Sequence, residues 1–289
     1  MQLQKATRKN VKIKMALQGP AGAGKTYSAL LLAQGLVSDG DLSKVAVIDT
    51  EQSACLYVNL GDFNVLPLEP KFSPERFTRA ISVCEEANME VIVIDSLSAE
   101  WEGSGGILDI HSKMTGNSFM NWNLLTPRHN ALIQKILNSS CHIICTIRSK
   151  QDYVISDRNG KKVPEKVGLK GIQRDNLDFE FTLVLTLDMN HQASVSKDRT
   201  NLFTGKPSFL ITNETGKLIR DWCNSGISVE QVRDKIKACQ SIEQLTQVFN
   251  QYKCWYNQLE SDFKQKKNAI NIITKHTNKK INANGITKN

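Results

Sequence analysis

Gly19-Pro20-Ala21-Gly22-Ala23-Gly24-Lys25-Thr26 is the segment that most restricts what this chain can fold into. It fits G-x-x-x-x-G-K-[ST], the phosphate-binding P-loop pattern. Its flanks fit as well: Val11–Leu17 alternates like a strand, and Tyr27–Leu36 reads as a helix rich in Ala and Leu. The residue types follow from the chemistry. Glycines let the backbone curl so that its N–H groups surround phosphate oxygens with no Cβ in the way. The helix that follows turns its positive end toward them. On this reading Gly19, Pro20, Ala21, Gly22, Ala23 and Gly24 form the cradle of an ATP site. Lys25 reaches the β- and γ-phosphates, and the Thr26 hydroxyl holds Mg²⁺.

A chain of 289 residues suits one α/β domain of about 220 residues with a small appendage. No apolar run is long enough to span a bilayer, and the first ten residues have no signal-peptide core. The expectation is a cytoplasmic protein, in a bacterial host cell if phage-encoded, with no membrane contact. Seven cysteines are scattered with no C-x-x-C. Cys141 and Cys145 fall on one face of an apolar strand and read as buried thiols rather than metal ligands. Of the net charge of +8, nearly all comes from the end of the chain. Residues 264–289 carry seven lysines and no acid, leaving 30 basic against 29 acidic residues before them. That Asn-rich tail is expected to fray beyond about residue 270. It reads either as an arm that attracts nucleic acid by counterion release or as a solubilising segment.

After the P-loop, strand and helix patterns alternate, which argues for a mostly parallel sheet flanked by helices. Strands are expected at Lys44–Asp49, Asn64–Leu68, Val91–Ile94, Cys141–Ile147, Phe181–Leu187 and Ala193–Ser196, with another within Lys206–Thr212. Ser73-Pro74 and Thr126-Pro127 look like helix starts, with the proline at the first helical position. Residues 100–121 read as irregular. An Asn159-Gly160 turn inside 149–176 predicts a small hairpin. Three short amphipathic helices follow Gly226. The predicted organisation is a P-loop ATPase domain over 1–226, a helical appendage over 227–268 and a basic tail over 269–289.

Hydrolysis also needs a carboxylate near the metal and a group that orients water. The apolar strand Val91–Ile94 ends in Asp95, which has Walker B character and would hold the Mg²⁺ shell. Asp49-Thr50-Glu51 follows another strand. If that strand lies beside the Walker B strand, Glu51 faces the nucleotide crevice and can take a proton from water; otherwise it is a surface glutamate. His129 and His142 read as structural.

These residues, taken in order, resemble the RecA-like ATPase core, an α/β P-loop fold. In that family a Glu after the strand following the P-loop helix serves as catalytic base, which Glu51 matches. Asp95-Ser96 differs from the Asp-Glu usual in clamp-loader (AAA+) proteins. Lys197-Asp198-Arg199 resembles the Lys-x-Arg pair that reaches a neighbour's γ-phosphate; the alternative is two solvated charges. Residues 10–226 are similar to small phage RecA-like proteins of single-strand annealing and recombination. The resemblance implies an ATPase that self-associates as a ring or filament, acts on single-stranded DNA and works beside phage recombination or replication proteins. RecA itself has a Gln at the end of the strand equivalent to Cys141–Ile147. Here Thr146, Arg148 and Lys150 stand in that region, and which of them senses the γ-phosphate, if any, stays open.

The same resemblance puts two loops on the DNA side, about 100–121 and 149–176. The second carries Lys150, Arg158, Lys161, Lys162, Lys166, Lys170 and Arg174, with Tyr153 for stacking; the first has Trp101, Phe119 and, just beyond, Trp122. Aromatics among bases suit a single strand. The competing readings are a lid or core role for the aromatics and a solvated hairpin. A loader or scaffold that binds a protein partner, with weak turnover and no DNA affinity of its own, is the rival function.

Overall fold

The structure, a computed structural model, describes residues 11–158, 161–225, 229–252 and 259–272; for 151–158, 161–169, 229 and 251 it describes the backbone alone. The described residues separate into two compact units, one over 11–223 and the other from 224 onward.

In the first unit β1 (Lys14–Gly19) lies inside the sheet, with strands paired on both of its edges. Its neighbours are β5 (His142–Arg158) and β7 (Leu183–Leu187), both parallel to it. Beyond β5 come β4 (Val91–Asp95), β2 (Val45–Asp49) and β3 (Asn64–Pro67), all parallel. Beyond β7 the sheet turns antiparallel through β8 (Gln192–Asp198) and β9 (Phe209–Leu210). The order is therefore β3-β2-β4-β5-β1-β7-β8-β9.

Strands buried on both faces need apolar residues at every position, and alternate side chains then feed two cores. Val91 and Val93 join Met15, Leu17, Val45, Val47 and Leu185 beneath α1 (Lys25–Leu36) and α6 (Asn213–Asn224). Ile92 and Ile94 join Ala46, Ile48, Ile143 and Cys145 beneath α2 (Pro74–Glu86) and α5 (Ser118–Asn138). Lys14 is the exception on β1. It is 4 % exposed and its Nζ donates to Ser139 O at 2.8 Å and to Cys141 O; burial lowers its pKa to about 8.

Four expectations change. The helix expected from Thr126-Pro127 begins at Ser118, because the Asn117 side chain accepts from Phe119 N and Met120 N and caps it earlier. Pro127 then lies inside α5, on an exposed face where water can satisfy the freed carbonyl. The stretch 100–121 is not irregular: the end of α3 (Ser98–Glu102), all of α4 (Ile107–Lys113) and the start of α5 together occupy most of it. The predicted small hairpin is the far end of β5, an unbroken 17-residue strand that leaves the sheet and pairs with β6 (Lys161–Gly171). Ser73 makes no side-chain cap on α2, although Pro74 does start it.

Helix α6 was not foreseen. It crosses α1 where a Cβ on Gly35 would meet Asn213 O at 2.0 Å and one on Gly216 would meet Leu32 O at 2.3 Å, so the crossing needs both glycines.

In the second unit α7 (Val229–Ala238), α8 (Ile242–Gln251) and a helix over 259–272 share a core of Val232, Ile236, Leu245, Leu259 and Phe263. The last helix runs past residue 268, where the sequence reading ended the appendage. The tail beyond 272 lies outside the described residues. Among those described, no helix is long and apolar enough to cross a membrane.

Candidate active site

The P-loop leaves β1 at Gly19 and enters α1 at Lys25. Gly22 and Gly24 hold φ of 83° and 80°, a left-handed conformation that a side chain would strain. Ala23 N donates to Pro20 O at 3.3 Å and Ser28 N to Gly24 O at 2.9 Å, closing the curl. No acid sits in the first turn of α1 to neutralise its positive end. Lys25 folds back over the loop, donating from Nζ to Pro20 O at 2.8 Å. Burial pulls its pKa below the usual lysine value; Asp95 and Glu51 work against that shift and Arg148 adds to it.

The condition set for Glu51 is met. Strand β2 lies directly beside β4, with Asp49 opposite Asp95. Each residue of Asp49-Thr50-Glu51 has a task. The Asp49 carboxylate, 2 % exposed, accepts from Glu51 N and Ala54 N, both at 2.9 Å, and so fixes the turn that carries Glu51. Thr50 fastens the two strand ends: its N–H and hydroxyl donate to Asp95 O, and its Oγ1 accepts from Ser96 N. Glu51 is thereby held near Lys25, and its carboxylate takes Arg148 Nε at 2.9 Å.

Asp95 is 2 % exposed. Its Oδ2 accepts from Thr26 Oγ1 at 2.6 Å and its Oδ1 from Thr146 Oγ1. Burial drives its pKa up; the two hydroxyls oppose this, while Glu51 and Asp49 add to it. A buried carboxylate among other carboxylates and hydroxyls is short of positive charge. The hard oxygen donors Thr26 Oγ1 and Asp95 Oδ2 suit Mg²⁺, which would supply that charge.

The three residues left open, Thr146, Arg148 and Lys150, lie along the first half of β5 and part company. Thr146 serves Asp95, and Arg148, opposite Gly19 in register, serves Glu51. Lys150 lines a separate cleft near Trp101. Sequence reasoning missed the turn between β7 and β8. Asp188 Oδ1 accepts from Asn190 N and Gln192 N, and the turn places Met189 Cε 3.6 Å from a Cβ built on Gly22. It also sets His191 Nδ1 3.0 Å from one built on Gly24. No local signal announces that contact; it exists only because β7 neighbours β1.

Lys197 and Arg199 lie elsewhere. Register places Lys197 opposite Val184, near the start of β7, so both belong to the amino edge of the parallel strands and the P-loop to the carboxyl edge. Lys197 Nζ donates to Asp178 O at 3.1 Å and to Phe179 O, and an Arg199 amino group to Phe179 O at 3.1 Å. They are a strand's length from Lys25 and do not serve their own chain's P-loop. Of the other proposed contacts, Lys150, Lys170 and Arg174 line the cleft near Trp101. The side chains of Tyr153, Arg158, Lys161, Lys162 and Lys166 lie outside the described residues.

His129 and His142 are structural. His129 Nδ1 pairs with buried Glu100 at 3.0 Å. His142 Nδ1 accepts from Ile13 N at 3.1 Å, and burial lowers its pKa to about 3. Among the described residues no group of His, Cys, Asp and Glu is arranged to hold a metal on its own.

A glycine cradle, a lysine over it, a hydroxyl–carboxylate pair beneath it and a helix-flanked parallel sheet define a P-loop nucleotide-binding ATPase fold. The family model described as an AAA domain matches residues 11–219, and the chain belongs to that family. No curated protein matches the sequence.

Proposed function

We propose that this protein is a Mg²⁺-dependent, RecA-like ATPase that acts on single-stranded DNA in recombination, annealing or replication of the phage type. The observation that carries the ATPase part is the convergence of Glu51 and Asp95 on Lys25 and Thr26 through the β2–β4 pairing. The cradle N–H groups and Lys25 bind the phosphates, Lys25 exchanging Pro20 O for phosphate oxygen. Thr26 and Asp95 hold Mg²⁺, which when bound offsets phosphate charge. Glu51 takes a proton from the water that attacks the γ-phosphorus; the bond to the β-phosphate oxygen breaks, giving ADP and phosphate. Glu51 is tied to Arg148, so the arriving γ-phosphate first draws the guanidinium away. Arg148 is thus the residue on β5 that registers ATP.

Lys197 and Arg199 enter the site of a neighbouring copy. A cationic pair on the edge opposite the P-loop suits a head-to-tail contact, which closes as a ring or extends as a filament. The DNA reading rests on the cations at the root of the β5–β6 hairpin and the aromatics opposite them. The loader reading has one observation of its own, an apolar groove of about 340 Å³ in the second unit, lined by Ile242, Leu245, Phe249 and Phe263.

The deciding experiment is ATP turnover with and without single-stranded DNA. DNA stimulation that is lost in Glu51→Gln, with ATP binding retained, supports the proposal. A slow rate indifferent to DNA favours the loader.

A further inference from the structure

A cleft of about 630 Å³ opens between α3, α5 and the root of the hairpin, apart from the nucleotide site. One wall is aromatic. Trp101 and Trp122 stack with centroids 5.9 Å apart and planes 23° apart. His111 covers the Trp122 ring at 4.5 Å, also at 23°. Both tryptophans are only half-buried. The facing wall presents Lys150, Lys170 and Arg174, with Lys170 bonded to Asp175 at 2.6 Å. Glu102 and Asp175 also line the cleft and temper its charge.

The two walls are fixed by one fully buried carboxylate. Glu100, 0 % exposed, takes His129 of α5 on Oε1 and Gln173 Nε2 on Oε2, each at 3.0 Å. His129 in turn packs edge-on against Trp101 at 5.6 Å. Gln173 also donates to Leu97 O at 3.2 Å, and its Oε1 accepts Arg174 N at 2.7 Å. Holding a carboxylate in the interior is costly unless it is fully hydrogen-bonded. Here its partners set the spacing between the rings and the cations.

Flat half-exposed rings across from ammonium and guanidinium groups fit a planar base on one side and a phosphate on the other. The volume lies in the range of small-ligand sites, about 300–1,000 Å³, too small for a duplex. We infer that this cleft stacks an unpaired nucleobase of a single strand on Trp101 and Trp122 and holds its phosphate with Lys150, Lys170 and Arg174. The inference rests on the single-strand reading above and assigns its contact point. Cations spread along the hairpin root favour a continuing strand over a free nucleotide. Lys170 exchanges Asp175 for phosphate on binding.

The chain has four tryptophans, so Trp222→Phe with Trp255→Phe leaves only Trp101 and Trp122 to fluoresce. In that background, titration with a short oligothymidylate is expected to quench the emission, and added salt to weaken the quenching. Measured by anisotropy of a labelled strand, Trp101→Leu or Trp122→Leu weakens binding about tenfold, while Trp101→Phe retains most of it. Binding by anisotropy with no quenching, and Leu variants that bind like the parent, overturns the cleft and leaves the DNA reading standing. Absence of binding in both measurements overturns both. Thymidine monophosphate that quenches as strongly as the oligomer at equal nucleotide concentration makes the cleft a mononucleotide site and overturns the strand assignment. Unchanged circular dichroism and thermal midpoint are required of each variant, and the Phe variant decides if a Leu variant misfolds.

Discussion

The two edges of the parallel sheet hold their cations differently. At the carboxyl edge Arg148 is neutralised by Glu51, while Lys25 rests on the carbonyl of Pro20. At the amino edge Lys197 and Arg199 both rest on the carbonyl of Phe179, and among the described residues neither has a carboxylate within salt-bridge distance. A carbonyl supplies a dipole and leaves the full positive charge in place, whereas a carboxylate cancels it. Among the described residues Lys25, Lys197 and Arg199 thus have no carboxylate at salt-bridge distance, whereas Arg148 would have to give up Glu51 before taking another anion. On the proposed reading, in which Lys197 and Arg199 serve a neighbour's γ-phosphate, the catalytic set is divided between the two ends of one sheet and a single copy does not bring it together.

The strongest attempt to break that comparison removes one edge at a time. Lys25→Ala should abolish ATP binding in a fluorescent-nucleotide titration. Arg199→Ala should leave binding intact and lower turnover by about 10³-fold, the scale of a cation acting on the transferring phosphoryl group. Glu51→Gln should lower it by about 10²–10⁴-fold. Mixing equal amounts of Glu51→Gln and Arg199→Ala chains should restore activity at about a quarter of the head-to-tail interfaces, where an intact Glu51 meets a neighbour's intact Arg199. No recovery in the mixture would place both residues' effects within one chain. A smaller effect is expected of Arg148→Ala: turnover falls about tenfold and ADP affinity stays unchanged, since only ATP brings the γ-phosphate that takes the guanidinium.

The remaining effect falls on stability and not on turnover, and concerns the amino edge alone. His142 is held neutral in the fold, with a pKa near 3 against 6.5 when unfolded. Its folded-state pKa is depressed, so below pH 6.5 the unfolded chain takes up the proton and the folded one does not. Stability should fall by about 2 kcal/mol between pH 7 and pH 5. Urea unfolding at the two pH values measures this. His142→Gln, which keeps an acceptor for Ile13 N without titrating, should flatten that limb; an unchanged slope would remove His142 as its source.

The nucleotide edge was legible because its chemistry is local in sequence. The P-loop demands glycines at fixed positions, and an apolar strand ending in Asp95 marks itself. Glu51 was legible only on a condition, the adjacency of β2 and β4, which spacing alone does not determine. Other features depended on contacts distant in the chain. Lys14 looks like the polar side of an alternating strand and is buried against the segment between α5 and β5, where its Nζ donates to Ser139 O and Cys141 O. Pro127 imitates a helix start, and the true start is set by Asn117, ten residues earlier. Helix α6 has a clear apolar face, but Thr215 and Gly216 near its start weaken the local pattern; the glycine matters only because Gly35 of α1 presses against it. The Trp101–Trp122 stack joins residues on two different helices and was visible in sequence only as scattered aromatics.

The continuity of β5 has a mechanical consequence. One strand begins at the amino edge with His142, passes Thr146 and Arg148 at the nucleotide site, and runs on to Arg158. At about 3.3 Å per residue, the ten residues beyond Arg148 form an arm of about 33 Å. A tilt of about 5° at its root would sweep the far end through about 3 Å, roughly the spacing of one strand residue. The hairpin is thus a long lever rooted at Arg148, the residue paired with Glu51, so that any tilt at that root is multiplied along its length.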